Sequence, residues 1–586
     1  MSPVETTAII IVGGGPVGLS ASILLSLRKI PHVLFERHSG TSIHPKACGI
    51  NQRTTEVFRV MGIEDEVYRQ AAPPDIAGRT AWYTGFGDSG KEIASRDAWG
   101  GGKYTEEYSA FSASRYCVLP QIRLEPILKR RAVGLNPDGV HYNAEVVSVS
   151  NKSDEVLARV YHKERGYTAY RARYALIADG GRMFTDKLGI KWLGEKDIAD
   201  MVTAHFSSPS LRALHPDPRN FITWFSNPEM GGSTRTGYLY QIGPWLLQDL
   251  DHDEWVFVCA RIEGDPDRFD EESMTRRLRK TLGFPDLPVK MLSFSHWTVN
   301  AIYAETYRTG HIFLVGDSAH KIPPWGALGM NTGIQDVQNL IWKLEFALKD
   351  DIRYDRLLDT YQTERLEVGR RVGQTSLRNM RSHSSVMDKA LGVSAEQSPE
   401  ENKSAAAPFF DANDTKHTLK RQAVERAQKV LDSEFKAPGL EIGWYYPSAD
   451  INNEGGESHG GQRLPDGSLN SEFYFPSTIP GHHLPHCWLE RDGERVAIRD
   501  LLPLDALALF IEQSLPAELV DGRMRVVYIG VGGYRDTFGD WRQVCGVGKS
   551  GGVLVRPDGI VAWRGDLSDF SAQTWVDLVD RVLHCN

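Results

Sequence analysis

The chain has 586 residues, of which 41% are hydrophobic and 24% charged, with 67 Lys and Arg set against 76 Asp and Glu for a formal net charge of −9. That length exceeds one ordinary core and predicts two to four domains of globular composition, which excludes disordered and fibrous classes. The acidic balance argues against a nucleic-acid partner, and the absence of a run of about 18 apolar residues argues against a membrane span.

The first predicted element is a buried strand, Ala8-Ile9-Ile10-Ile11-Val12, running into Gly13-Gly14-Gly15-Pro16-Val17-Gly18 and then a helix through Leu25. No basic segment precedes the apolar run, so it is assigned to the strand and not to a signal peptide. In such a strand–glycine–helix unit the first glycine permits the turn, the second lets a pyrophosphate approach the backbone, and the third lets helix and strand pack closely. Gly13, Gly15, Pro16 and Gly18 are therefore candidate phosphate-cradle residues, at a helix N-terminus whose free N–H groups favour anions. A second strand, His32 to Arg37, carries Glu36 at its end, 18 residues after Gly18. That is where a carboxylate accepting from a ribose hydroxyl is expected. Strand, glycines, helix, second strand and acid together predict a dinucleotide site.

Residues 73–115 are rich in Gly, Pro, Ser and aromatics and read as an excursion from the nucleotide domain toward a second domain. A helix starts in Leu119-Pro120-Gln121-Ile122-Arg123, strands alternate from Val140 to His162, and Tyr174-Ala175-Leu176-Ile177-Ala178 is a buried strand ending in Asp179-Gly180. From 191 to 300 the pattern is β-rich and aromatic, as in Phe221-Ile222-Thr223-Trp224-Phe225 and Tyr238-Leu239-Tyr240, which suits a wide sheet able to wall an apolar pocket. Ile312-Phe313-Leu314-Val315 is a further strand, leading to Gly316-Asp317 and a Pro/Gly-rich loop before the next helix. An acid at such a strand end can hold a ribityl or ribose hydroxyl, and a glycine-rich helix start can aim N–H donors at an electron-rich ring edge. Residues 396–440 read as a linker and helix, and 441–586 as a separate α/β unit with a Pro557-Asp558-Gly559 hairpin turn. That unit carries no evident catalytic cluster, and packing or dimerisation is its expected role. The six cysteines contain no CxxC pair, so no metal site or dithiol centre is expected, and reduced thiols in a cytoplasmic protein are.

The glycine motif with Glu36, then Asp179-Gly180, then Gly316-Asp317 resemble the three fingerprints of the single-component, FAD-dependent aromatic hydroxylases. Asn51-Gln52-Arg53-Thr54, Leu119 to Leu128 and Gly316 to Lys321 resemble the phenol hydroxylase and 2,4-dichlorophenol hydroxylase branch, and Val553 to Arg564 resembles its C-terminal thioredoxin-like domain, which lacks redox cysteines. The resemblance implies an α/β architecture: a Rossmann-type FAD-binding domain (1–190, continued by 301–395 with helices), an inserted β-sheet substrate domain (191–300) and the thioredoxin-like domain (441–586). It implies FAD held at Gly13, Gly15, Gly18 and Glu36, with Arg37 and Gln121 on the nucleotide and pyrophosphate side, and Asp317 on the ribityl chain. The loop carrying Pro324, Gly329, Met330 and Asn331 would face the isoalloxazine. Asp179 resembles the family's residue linked to both FAD and NAD(P)H, and Lys46 stands where the type enzyme has a basic residue near the flavin. NADPH or NADH would act transiently, and a flavin hydroperoxide would hydroxylate a phenolic ring in a homodimeric enzyme. Baeyer–Villiger or epoxidising chemistry on a polyketide-like substrate is the alternative, and a flavin oxidase or dehydrogenase the next.

The chain departs from the pattern in three places. After Asp179-Gly180 it runs Gly181-Arg182-Met183-Phe184, about one residue short, and Gly326-Ala327 replaces a usual Gly-Gly in the flavin loop. Where phenol hydroxylase places a catalytic Asp, this chain has Cys48. The base must then be another group, or the substrate must be an activated phenol or enolisable ketone. By chemistry alone His44, His205, Tyr238 and Tyr240 are candidate catalytic residues, against a competing reading as surface histidines and packed tyrosines.

Overall fold

Strand β1 (Val4–Val12) lies between β2 (His32–Phe35) and the long strand Gly166–Ile177, parallel to both, in a sheet that Ile312–Leu314 continues in parallel. The computed structural model describes residues 4–245, 253–262, 267–515, 521–530, 532–568 and 570–585. Ile9, Ile10 and Ile11 are fully buried, as a strand covered on both faces requires. Parallel pairing brings the C-terminal ends of four strands side by side: Val12 pairs with both Phe35 and Ile177, and Ile177 with Leu314. The glycine turn, Glu36, Asp179 and Asp317 follow these ends, where ligands bind in open α/β sheets.

A second, eight-stranded sheet is built mainly from 192–304. It takes in Arg79–Tyr83 and Glu92–Asp97, so the 73–115 excursion supplies two of its strands. The two-residue period of the strands divides its side chains. Val202, Ala204, Phe206, Leu239 and Phe257 pack with the helix Glu271–Leu282, while Met201, Tyr238, Tyr240, Val256 and Val258 share a cluster with Trp325 of the Pro/Gly loop.

The stretch expected as a linker is structured. Ser398 and Glu401 form a capping box on the helix Pro399–Phe410, and a second helix spans His417–Val430. Ala406, Phe409, Val424 and Ala427 bury against the aromatic cluster of the second sheet. A polar stretch with few apolar anchors reads as a linker until the surface that receives the anchors is known.

In the C-terminal part, Leu507–Ile511 pairs in parallel with Met524–Tyr528 and antiparallel with Gly551–Val555, which pairs with Val561–Asp566. Leu507, Leu509 and Ile511 join the same core as the first sheet, while Ala508 and Phe510 pack with Trp541 in a core of their own. The hairpin turn docks on the long helices Gly329–Lys349 and Asp351–Ser382. Arg556 donates to both oxygens of Glu364 at 2.6 and 2.9 Å, and Lys343 donates to Glu364 at 2.7 Å, all buried.

Candidate active site

The three glycines of the first turn differ in what surrounds them. Gly13 has φ +110°, and a Cβ there would lie 2.2 Å from the carbonyl oxygen of Ala178. A Cβ on Gly18 would lie 2.0 Å from the carbonyl oxygen of Gly13, whereas one on Gly15 would meet nothing within 4 Å. Gly13 and Gly18 are thus required by the protein's own backbone. Gly15 borders open space at the start of helix Pro16–Leu27, where Pro16 occupies the first helical turn and no side chain caps the end. This is room for a pyrophosphate against free N–H groups. Glu36 accepts from the Gly14 N–H at 2.8 Å and the His38 N–H at 2.8 Å, which pins its carboxylate beside the turn. Arg37 is exposed and carries no ion pair among the described residues. Gln121 donates to Glu125 at 2.5 Å, and Glu125 also accepts from the Ser42 N–H, tying the helix Gln121–Leu135 to the segment that carries His44, Lys46 and Cys48.

Asp317 is open to the cleft, and among the described residues no hydrogen bond reaches its carboxylate. Enclosing protein raises its pKa above the ordinary carboxylate value, opposed by His320, Lys46 and Lys321. An exposed carboxylate at a strand end, engaged by no described residue, can accept from a ligand hydroxyl. Its neighbour Gly316 is positioned by Asp336, which accepts from the Gly316 N–H at 3.0 Å, from His320 at 2.8 Å and from Arg365 at 2.7 Å. The helix Gly329–Lys349 begins without a side-chain cap, so the first-turn N–H groups at Gly329 and Met330 lack side-chain acceptors. Open space at Gly15, the uncapped helix start at Gly329 and an Asp317 carboxylate unpartnered among the described residues together fit a flavin dinucleotide laid across the strand ends.

Two of the expected ligand residues have side chains engaged by the chain itself. Asp179 spends its carboxylate on the chain: Oδ1 accepts from Gly181 N–H and Ser318 Oγ, and Oδ2 from the N–H groups of Met183 and Phe184 at 2.9 and 3.0 Å. It shapes the shortened turn and ties it to the Gly316–Ser318 loop, leaving its oxygens engaged. Asn331 likewise clasps the chain, accepting from Asn51 N–H and donating to the carbonyls of Gly49 and Ala327. That clasp holds Ala327 at φ +55°, the left-handed conformation that the missing glycine would adopt with less strain.

The four catalytic candidates fall into two groups. His205 pairs with Glu254 at 2.8 Å, Glu254 lies 3.2 Å from Arg123, and His44 lies 3.3 Å from Ser293, the residue opposite His205 on the next strand. Burial, Lys46 and His205 all lower the His44 pKa. Tyr240 is separated from His205 by Val256, one residue on the intervening strand. Two strand spacings put these backbones about 10 Å apart. Tyr238 and Tyr240 stand instead in an aromatic wall: Tyr238 is 4.3 Å from Trp224 and 6.4 Å from Trp325, and Tyr240 is 5.7 Å from Phe221. Among the described residues their hydroxyls have no hydrogen-bond partner, and they are not among the sealed-off polar atoms. Burial, with the Cys48 thiol nearby, pushes both hydroxyl pKa values well up, so both are donors at neutral pH. Cys48 is itself pushed up to about 12 by burial, so a neutral thiol occupies the position of the expected acid. Trp99 and Tyr116, 6.2 Å apart, extend the wall. Sequence reasoning passed over both, Trp99 within the aromatic-rich excursion and Tyr116 just after it.

Residues 6–376 match the family of FAD binding domains, and residues 477–584 match the aromatic-ring hydroxylase C-terminal family. The chain belongs to the FAD-dependent aromatic-ring hydroxylases. This hydroxylase is 30% identical over 580 residues to the phenol 2-monooxygenase of Pseudomonas sp. (strain EST1001), covering 96% of this chain and 90% of the relative. It is 30% identical over 579 residues to the 2,4-dichlorophenol 6-monooxygenase of Delftia acidovorans, covering 95% and 94%. Among solved structures it is similar to the flavin-dependent monooxygenase PieE in complex with FAD and substrate, with a TM-score of 0.87, 31% identity and 100% coverage of both chains. The cofactor of the hydroxylase is FAD, and no helix among its described residues is long and apolar enough to cross a membrane.

Proposed function

We propose that this hydroxylase adds one oxygen atom from O2 to the ring of a phenolic substrate, using NADPH or NADH as a transient reductant. The observation that carries the reading is the position of Trp325. It comes from the Pro/Gly loop at the flavin side, yet packs 6.4 Å from Trp224 and 6.4 Å from Tyr238 of the substrate sheet. The aromatic wall therefore adjoins the cofactor cleft. FAD, when bound and reduced, supplies the electrophilic oxygen.

The chain's own residues have three tasks. Pro16 and the N–H groups beside Gly15 receive the pyrophosphate, and Asp317 accepts from the ribityl chain. Trp99, Trp224 and Trp325, each buried, line an apolar space that keeps water from the reacting atoms. The Tyr238 and Tyr240 hydroxyls, held as donors, orient a substrate oxygen and stabilise its negative charge as the ring is attacked.

The test is to incubate the purified, flavin-loaded enzyme with simple and chlorinated phenols, NADPH or NADH and 18O2, and to weigh the products. One labelled oxygen on the ring is expected. A lactone bearing the label would replace the reading with Baeyer–Villiger chemistry, and dehydrogenation without label would remove oxygen transfer altogether.

A further inference from the structure

Trp224 meets both Tyr238, at 4.3 Å, and Trp325 of the Pro/Gly loop, at 6.4 Å, so its tilt governs how the substrate sheet faces the flavin side. A closer neighbour than either is an imidazole. The His383 ring lies 3.8 Å from Trp224, with 30° between the two planes. His383 is 4% exposed and begins a π-helical turn, His383–Asp388, directly after the long helix Asp351–Ser382. Such turns are rare, and they recur at functional sites.

Both ring nitrogens of His383 are engaged. Nε2 donates to Glu434 at 2.7 Å, and Nδ1 accepts from the indole N–H of Trp82 at 3.5 Å. An indole N–H only donates, so Nδ1 carries no proton and the ring is the neutral tautomer with its proton on Nε2. One contact at each nitrogen fixes the plane of the ring against Trp224. At the other end of the turn, Asp388 accepts from Ser226 Oγ at 2.7 Å and from the N–H and Oγ of Ser233 at 2.9 and 2.7 Å. Ser226 follows directly on the strand Asn220–Phe225 that carries Trp224. The turn therefore grips both the ring and its strand.

Glu434 belongs to the short helix Asp432–Phe435, whose other residues are committed to the same region. Asp432 pairs with Arg96, and Ser433 donates to Asn379 at 2.9 Å. Phe435 meets Trp99 edge-on, with ring centres 5.6 Å apart, and its carbonyl accepts from the Trp99 N–H at 2.8 Å. Two tryptophans of the wall thus take their places from one element, Trp99 directly and Trp224 through His383. Stability alone does not call for the His383–Glu434 pair. Burying a carboxylate is costly, and replacing such pairs by apolar residues of like volume is often neutral or stabilising. Apolar side chains lack the directional contacts that set the plane of a ring.

We propose, building on the phenol reading above, that His383, oriented by Glu434 and Trp82, is a positioning residue of the active site. It sets the tilt of Trp224, and through Trp224 the seat of the substrate between Tyr238 and the flavin side. It moves no proton, because both nitrogens are occupied by the chain. A reacting atom misplaced by about 1 Å loses about 100-fold in rate. A gap in the wall also admits water, so a lost tilt should show as reductant consumed without ring hydroxylation.

The test takes holoenzyme of parent and variants with a phenol hydroxylated in the 18O experiment. Product and hydrogen peroxide are counted per NADPH or NADH consumed, and the phenol Kd is read from perturbation of the flavin absorbance. His383→Phe combined with Glu434→Met keeps volume and removes the directional contacts. This enzyme should match the parent in flavin content and have a thermal midpoint no lower. It should bind the phenol at least about tenfold more weakly and release most reducing equivalents as hydrogen peroxide. Glu434→Gln, whose amide oxygen still accepts from Nε2–H, should recover most of the coupling. If the double variant does not fold, Trp82→Phe decides in its place, because it keeps a ring and removes only the donor to Nδ1; it should uncouple in the same sense. Parent-like coupling and affinity in the folded variant would overturn the positioning role while 18O labelling still upholds phenol hydroxylation. A parent that forms no labelled phenol product overturns the underlying reading, and the role with it.

Discussion

At the residue scale, the glycines of the first turn separate structural need from ligand need. Gly13 has φ +110° and backbone 2.2 Å from any Cβ, so Gly13→Ala is strained before a cofactor arrives. Gly15 has φ −77° and open space, so Gly15→Ala fits the cofactor-free chain. The expected outcome is a split. Gly13→Ala should lower the thermal midpoint of cofactor-stripped protein, while Gly15→Ala should leave that midpoint unchanged and reduce bound flavin at least about tenfold, a loss of about 1.4 kcal/mol in affinity. Absorbance at the flavin band against protein, together with calorimetry of both forms, checks it. Asp317→Asn should behave like Gly15→Ala, because the carboxylate serves no partner in the described chain. Asp179→Asn should instead destabilise the protein itself, because four donors converge on that side chain. If Asp179→Asn were as stable as the parent and merely lost flavin, the assignment of its oxygens to the chain would be wrong.

At the element scale, two buried ionic networks fix the long helices. Asp336 on one helix and Arg365 on the next hold the Gly316 turn, and Arg365 continues to the Tyr446 hydroxyl at 2.9 Å. Glu364 receives Arg556, Lys343 and Asn339. Burial alone would raise the Glu364 carboxyl, but Arg556 and Lys343 outweigh it and hold the pKa well below the ordinary range. A carboxyl depressed in the fold contributes stability that is complete above its unfolded pKa, about 4.3, and is lost as the pH falls below that value. Urea midpoints measured between pH 7 and pH 3 should therefore fall steeply for the parent and less steeply for Glu364→Gln. Arg556→Met, which leaves Glu364 and Asp558 without their shared cation, should cost about 3–5 kcal/mol at neutral pH. A change under about 1 kcal/mol would show that the cluster does not hold the elements together.

At the scale of the whole molecule, the C-terminal unit shares its core with the cofactor domain. Leu507, Leu509 and Trp575 belong to the same hydrophobic cluster as β1. A chain ending near residue 476 would expose that face and strip Glu364 of Arg556, and it should be recovered aggregated or with little flavin. Soluble, fully loaded truncated protein would show the interface to be dispensable. Packing is thus a sufficient account of this unit.

Much of this was legible in the chain itself. Apolar runs broken by glycine, with an acid at each strand end, specify a parallel sheet and a dinucleotide cleft, because local turn geometry and period fix where backbone donors and carboxylates emerge. The alternating aromatics from 221 to 258 marked the wide second sheet for the same reason. The fate of individual polar groups was not legible. Asp179 and Asp317 follow similar strands, yet one carboxylate is consumed by four donors and the other by none. That depends on a turn one residue short and on Ser318 from another strand end. Cys48 joins Tyr238, Tyr240 and Trp325 in one cluster only in the tertiary structure, and the burial that holds its thiol neutral exists only once that wall closes around it. Residue order settles backbone geometry and the cofactor class; desolvation and long-range pairing, which no local pattern encodes, decide which of those residues are left free to do chemistry.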